Sequence, residues 1–272
     1  MKKLLTLAAT VVLGGALLIA GCGSDTKTTA GSDSKVLKIG ATAVPHAEIL
    51  EQAKPLLAKE GIDLQITEFT DYNTPNLALG DKEIDANFFQ HVPYMDEFAK
   101  AHNLQLASAG AVHLEPMGLY STKIKDLKDL PKDAKIAIPN DPTNGGRALI
   151  LLQKEGLITL KDPTNILSTV QDITANPNGY EFVELEAAQI PRSLDDVSLA
   201  AINTNYALSA NLNPSKDALV IESNDSPYVN IVTVLKGNEN DERIKKLMAV
   251  LHSDEIKKFI QDKYNGTIVP GF

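Results

Sequence analysis

Residues 104–122 read LQLASAGAVHLEPMGLYST, and how this stretch is taken decides the fold. It is long and β-rich. Before it, apolar runs with strand-like character alternate with runs whose apolar residues recur at helical spacing. After it, the same alternation starts again. A second long β run, VNIVTVL (229–235), precedes the last two helical stretches. Alternating strands and helices predict a parallel or mixed sheet covered by helices. Two such blocks joined by two β-rich crossings predict an α/β chain of two lobes. The first lobe takes residues 36–118 plus 232–272, and the second takes 119–231. Ligands of such architectures sit at the carboxyl ends of strands, and a cleft between two lobes closes by hinge motion.

The shorter segments agree with this layout. VLKIGAT (36–42) and DLQITEF (63–69) read as strands on either side of a helix, with Ile49, Leu50, Ala53 and Leu57 on one face and Gly61 as its stop. VPYMDEFAKAHN (92–103) reads as a helix. In the second block, KDLKDLP (125–131) is a short helix, KIAIPND (135–141) a strand and PTNGGRALILLQKEG (142–156) a helix. YEFVEL, SLAAIN and ALVIES, at 180–185, 198–203 and 218–223, read as further strands. Ile244, Leu247, Met248 and Leu251 mark the penultimate helix. Ser253 caps the last one, which turns Ile256, Phe259 and Ile260 inward.

The chain opens MKKLLTLAATVVLGGALLIAGC. Two lysines before an uncharged apolar run have the layout of a secretory signal, here residues 1–21. The run is shorter than the roughly 20 apolar residues of a membrane span. Small residues lead to Cys22, the only cysteine, which excludes an intramolecular disulfide. Residues 22–34 are small and polar, a flexible tether. Removing Lys2 and Lys3 with the signal lowers the 26 basic residues to 24 against 35 acidic, so the net charge moves from −9 to −11. A chain this acidic, without a basic patch or a Cys/His cluster, excludes nucleic acid and structural zinc as partners.

Four segments place polar or aromatic groups just after predicted strands. TEFTDYNTPN (67–76) carries Tyr72 among residues that also suit a plain turn. DANFFQHVPYM (85–95) gathers Phe88, Phe89, His91 and Tyr94 in a chain that is 5% aromatic. Neighbouring residues of an extended segment face opposite ways, so one Phe is left for the cleft. His91 is either a helix cap or a flank of that aromatic. IPNDPTNGGRALILL (138–152) runs from strand through loop to helix. Arg147, placed in the first helical turn, opposes the helix dipole there and is better explained as a fork for a ligand carboxylate. The glycines lack the Lys-Ser/Thr of a phosphate loop, which excludes nucleotide binding. AINTNYA (201–207) and SPYVNIV (226–232) supply Asn203 and Asn230, whose amides both donate and accept. Together these residues suit an α-amino acid held by a polar clamp, with its side chain in an aromatic slot.

The runs IAGC, TDYNTPN, DANFFQHVPY, IPNDPTNGGRALILL, INTNYA and DSPYVNIV, in this order, resemble the methionine-binding lipoproteins of the NlpA/MetQ family. These are the substrate-binding subunits of ABC methionine importers, and the resemblance covers essentially all of 36–272. It implies a two-lobed, periplasmic-binding-protein-like fold that holds methionine, its D enantiomer or a methionyl peptide, and docks on a membrane permease. It implies that Tyr72, Phe89, His91 and Tyr94 form the side-chain slot, while Arg147, Asn203 and Asn230 bind the amino-acid end. Phe88 stands where a smaller residue is expected, which implies a reshaped slot. IAGC resembles the lipobox of bacterial lipoproteins, so Cys22 is expected to begin the mature chain, carry lipid and hold it on the extracytoplasmic side of the cell membrane.

Two other readings have less in the sequence. A metal receptor would draw on His46, His91, His113 and a carboxylate, but no two of these histidines stand at i, i+3 or i+4. An enzyme would need an activated nucleophile, and neither G-x-S-x-G nor a His–carboxylate constellation is visible in the sequence. No cofactor, no resident metal and no catalysis are therefore expected. The anchor has a direct check. Cys22→Ser is expected to move the protein from the membrane to the soluble fraction, and a variant that stays membrane-bound would refute the lipid assignment.

Overall fold

The computed structural model of the protein describes residues 35–272. The expected signal, tether and Cys22 lie outside the described residues. β1 (Val36–Thr42) leads through a short helical turn at Ala43–Ala47 into α1 (Glu48–Lys59). Ile49, Leu50, Ala53 and Leu57 are the buried residues of α1, and Gly61 beyond its end has φ +74°, which suits glycine. There follow β2 (Asp63–Phe69), α2 (Thr74–Gly80), β3 (Ala86–His91), α3 (Val92–His102) and β4 (Leu106–Leu114). β5 (Gly118–Tyr120) starts a second group: β6 (Lys135–Pro139), α4 (Pro142–Lys154), β7 (Thr159–Leu160), β8 (Ile173–Ala175), β9 (Glu181–Leu185), β10 (Leu199–Ile202), α5 (Thr204–Ser209), α6 (Pro214–Asp217) and β11 (Ala218–Ile221). The chain closes with β12 (Val229–Leu235), α7 (Glu242–Leu251), α8 (Asp254–Tyr264) and β13 (Val269–Pro270).

The strands form a six-stranded sheet in the order β13-β4-β12-β3-β1-β2 and a five-stranded sheet in the order β11-β5-β10-β6-β9, with β7 and β8 as a separate pair. The β-rich stretch 104–122 is thus two strands in two different sheets. The chain passes from the first sheet to the second between Leu114 and Gly118, and returns between Ile221 and Val229. Both sheets are mixed. β1 runs parallel to β2 and β3, while β12 lies antiparallel between β3 and β4. This register sets Asn230 level with His91 on one side and His113 on the other. Leu37, Ile39 and Val232 of the first sheet share one core with Leu50 of α1, Leu247 of α7 and Ile256 of α8. Ile136 and Ile138 of β6 pack with Leu149 and Leu152 of α4 in the other. Among the described residues no helix is long and apolar enough to cross a membrane.

Two local readings change. The turn-like TDYNTPN contains the start of α2. Asp71 Oδ1 accepts the N–H groups of Asn73 and Thr74 at 2.7 Å each, and Pro75 occupies the first turn. The residues that favour turns also satisfy helix starts, so composition alone did not separate the two. Arg147 is the sixth residue of α4 and lies beyond the first turn, because Asp141 caps the helix and Pro142 begins it.

The glycines of NDPTNGG serve packing. A Cβ on Gly146 would stand 2.2 Å from the Ile166 carbonyl oxygen, and one on Gly145 would stand 2.8 Å from that of Pro139. Backbone on backbone leaves no flexible end to yield. Gly146→Ala is therefore expected to destabilise the fold by about 1–3 kcal/mol, the range for overpacking. Urea unfolding measures this, and an unchanged midpoint would show that the 166–168 segment moves freely.

Candidate functional site

Tyr72, Phe89, His91, Tyr94, Arg147, Asn203 and Asn230 all line one cavity between the two sheets. β3 ends at His91 and α3 begins at Val92, so Phe89, His91 and Tyr94 are carried on a strand end and a helix start. His91 is both cap and cavity wall: its Nδ1 accepts the Tyr94 N–H at 3.2 Å. The Tyr72 ring lies 5.8 Å from both the Phe89 and Tyr94 rings, and Phe89 and Tyr94 are 6.0 Å apart. These are centroid separations of interacting aromatics, edge-to-face for Tyr94 with each of the others and tilted for Tyr72 with Phe89. Tyr94 donates to the Tyr72 carbonyl at 2.9 Å, and Tyr72 donates across the cleft to Asn205 Oδ1 at 2.6 Å. Burial raises the pKa of both phenols, which keeps them as donors.

Phe88 does not shape the slot. It points the other way, edge-on to His46 and His113 at 4.7 and 5.2 Å, within the core of the first sheet. The extended backbone separates the two phenylalanines, and the pocket receives Phe89 alone.

The amides are oriented by their neighbours. Asp141 accepts from Asn144 Nδ2 at 3.0 Å, so Asn144 Oδ1 is free to accept from Asn203 Nδ2 at 2.8 Å and His91 Nε2 at 3.3 Å. Asn203 then turns its Oδ1 elsewhere, and that buried oxygen has no protein partner among the described residues. Asn230 Oδ1 accepts from His46 Nε2 at 3.2 Å, which leaves its NH2 group for the cavity. One amide therefore offers an acceptor and the other offers donors.

Arg147 is almost fully buried and already engaged. Its Nε donates to both carboxylate oxygens of Glu222 at 3.1 Å, and its Nη2 donates to Glu222 Oε2 and, at 2.8 Å, to the Glu115 carbonyl. The Tyr228 ring lies 4.3 Å from its Cζ. Glu222 thus holds the edge of the fork that was expected to take a ligand carboxylate. Nη1 has no protein partner among the described residues, and it is the group left for that role. Glu222 lies 75 positions away from Arg147, and no sequence signal connected them.

Glu115 was also missed. It lines the cavity, as do Gln90, Asn144, Thr204 and Asn205. His113 Nε2 donates to Glu115 Oε1 at 2.7 Å, and His46 Nε2 stands 3.1 Å from the same oxygen. This is a His–carboxylate cluster, contrary to the expectation of none, and the i, i+2 pair His113 and Glu115 was the available signal. The ligand atoms of His46, His113 and Glu115 lie within 4.8 Å of one another. His91, the third histidine of the metal reading, is instead bonded to Asn144. His46 Nε2 and His113 Nε2 carry hydrogens toward oxygen acceptors, at hydrogen-bond distances. Burial works against the Glu115 charge, but the attraction of His46 and the hydrogen bonds of both histidines outweigh it and keep the carboxyl well below the usual range. Burial lowers the His113 pKa.

The cavity has a free volume of about 20 Å³, room for about one water. A larger hollow of about 430 Å³ lies beside it, lined by Phe69, Arg192 and Tyr206, and meets it at Asn205.

A model of the NlpA lipoprotein family matches residues 37–272. The chain is 43% identical to a probable D-methionine-binding lipoprotein MetQ of Vibrio cholerae, over 100% of this chain and 98% of that protein. Its structure is similar to that of a Burkholderia cenocepacia nutrient binding protein bound to methionine, with 45% identity, a TM-score of 0.84, and 87% of this chain and 100% of that one covered. A periplasmic substrate-binding protein of an ABC transporter from Coxiella burnetii is similar at 45% identity and a TM-score of 0.83, covering 86% and 100%.

His91 carries a pH signature. Burial first, and the nearby Arg147 charge second, lower its pKa from 6.5 to about 3. The unfolded chain then binds a proton between pH 6.5 and 3 that the folded chain refuses, so this histidine's contribution is full above pH 6.5 and is lost as pH falls through that window. One such proton is worth about 1.4 kcal/mol per pH unit. His91→Gln is expected to flatten the fall of stability between pH 6 and 4.5 by about that slope. Urea titrations across this range that give parallel curves would refute it.

Proposed function

This chain belongs to the NlpA lipoprotein family, and on that premise we propose that it captures methionine between two lobes and delivers it to the permease of an ABC importer. The observation that carries the reading is the meeting, in one cavity, of an aromatic wall with fixed polar groups. Phe89, Tyr72 and Tyr94 take the thioether side chain. Arg147, through Nη1, and the Asn230 NH2 group take the carboxylate. Relatives named for methionine, and a similar structure bound to methionine, support the choice of ligand.

The lobes are those expected, 36–118 with 232–272 and 119–231, except that β5 enters the second sheet at Gly118 and β12 the first at Val229. Their closure is held by Tyr72 to Asn205 and by His91 to Asn144. With so little free volume inside, the amino acid enters when these bonds part. The protein binds and releases without altering its ligand. Lipid on Cys22 tethers it to the outer face of the cell membrane, where the tether of 22–34 lets it reach the permease.

A competition titration with methionine, norleucine and glutamine tests the slot. Norleucine keeps the length and replaces sulfur with a methylene. Sulfur–aromatic contacts are worth about 0.3–1.5 kcal/mol, so methionine is expected to win by roughly two- to twelvefold. Glutamine loses more, because its buried amide costs about 1–3 kcal/mol per unsatisfied group. Norleucine equal to methionine would mean that the slot reads shape alone. Glutamine equal to methionine would overturn the methionine assignment.

A further inference from the structure

We propose that Tyr206 is a latch between the lobes: a positioning residue outside the cavity that holds Tyr72 in the slot and sets how long a bound amino acid stays. The proposal rests on the capture of an amino acid between closing lobes, as read above, and adds to it a residue and a kinetic role.

Tyr206 lies on α5, three positions after Asn203. Asn203, Thr204 and Asn205 line the cavity, whereas Tyr206 lines the adjoining hollow. It is 8% exposed and belongs to a core of the second lobe, with Ile190 and Ile202. From there it reaches the first lobe at two points of one loop. Its ring packs on that of Tyr72, with centroids 4.8 Å apart and planes tilted by 37°. Its hydroxyl donates to the Thr70 carbonyl at 3.4 Å. Tyr72 thus packs against two clusters at once, the Phe89 and Tyr94 rings of its own lobe and the Tyr206 core of the other.

Both sides of this contact are braced. The start of α5 is pinned where Thr204 Oγ1 donates to the Pro116 carbonyl, in the first crossing between the sheets. The loop is braced by Asp71, whose carboxylate accepts from the Asn73 and Thr74 N–H groups and from Thr74 Oγ1. Parting of the lobes therefore breaks the contact between two firm bodies. A slot wall whose support stands on the opposite lobe is held in place only when the lobes are shut, so closure completes the slot. The ring carries more of this than the hydroxyl, because 3.4 Å is long for an O–H···O bond, whose usual range is about 2.5–3.0 Å. A contact made only after closing acts on release and not on encounter.

The test is stopped-flow mixing of the full chain with methionine, followed by tyrosine emission, which the seven tyrosines and the absence of tryptophan make usable. Tyr206→Leu keeps apolar bulk in the second core and removes the flat ring. It is expected to speed dissociation about three- to twelvefold, which converts to about 0.6–1.5 kcal/mol, within the worth of an aromatic pair, and to leave association within about twofold. Tyr206→Phe keeps the ring and is expected to stay within about twofold of the wild type in both rates. The proposal is overturned if Tyr206→Leu releases methionine at the wild-type rate, if association slows instead, or if Tyr206→Phe releases it as fast as Tyr206→Leu. Hydrogen exchange on the wild type needs no variant and stands even if Tyr206→Leu fails to fold. Methionine is expected to slow exchange of the 70–74 amides at least about tenfold, and unchanged exchange there overturns the latch. A wild type that binds no methionine in calorimetry would overturn the amino-acid reading itself, whereas methionine bound with variant rates equal to the wild type would overturn only the role of Tyr206.

Discussion

β12 enters the first sheet antiparallel between β3 and β4, and its register decides what the cleft contains. Asn230 stands between His91 and His113 because of that register. From there its oxygen reaches His46, and its NH2 group is turned to the cavity. A slip of one residue would turn Asn230 to the other face and move Val232 and Val234 out of the core. Burial of these valines is thus the force that aims a polar side chain. The strand arrives after the whole second group of elements, so the first sheet is completed only by chain that has already built the other wall of the cavity.

From this strand a chain of hydrogen bonds settles each polar group in turn. Asp141 fixes Asn144, Asn144 fixes Asn203 and accepts from His91, and His46 fixes Asn230. None of these bonds adds much stability, since each replaces bonds to water at a net gain of about 1 kcal/mol. Their effect is on orientation: an amide that is free to flip offers a donor or an acceptor, whereas one held at one end offers a single kind. Arg147 is held the same way, between Glu222, the Glu115 carbonyl and the Tyr228 ring. Buried ions of this kind are weak contributors to stability. Their place at a cavity between the two sheets points to binding.

Much of this was legible in the sequence, and the boundary is physical. Short-range signals worked. The buried face of α1 and the Ser253 cap of α8 need only spacing over a few residues, and both are present. The split of Phe88 and Phe89 followed from extended geometry, although the destination of Phe88, against two histidines, did not. What failed was of two kinds. Turn chemistry is shared by loops and helix starts, which hid α2 and shifted Arg147 along α4. Partnerships across the fold leave no local trace. Arg147 with Glu222, and His46 with Glu115, join segments brought together by sheet crossings that periodicity cannot specify. Glu115 itself lies in the very crossing that fixed the fold class, where its place two residues after His113 was the visible clue.

The same interior explains why closure belongs with ligand. Asn203 Oδ1, Asn205 Nδ2 and Tyr228 Oη are buried and have no protein partner among the described residues. Each buried group left unsatisfied costs about 1–3 kcal/mol. Against this stand Tyr72 to Asn205, His91 to Asn144 and Tyr206 to the Thr70 carbonyl across the cavity, hydrogen bonds of modest net worth, together with contact between the Tyr72 and Tyr206 rings. An apolar closing face would shut regardless of its contents. An ammonium that reaches Asn203 Oδ1 removes one penalty outright, and a carboxylate at Arg147 Nη1 satisfies a cation that Glu222 serves only along its other edge. The polar imperfections of the cavity are thus the groups that a bound molecule would satisfy.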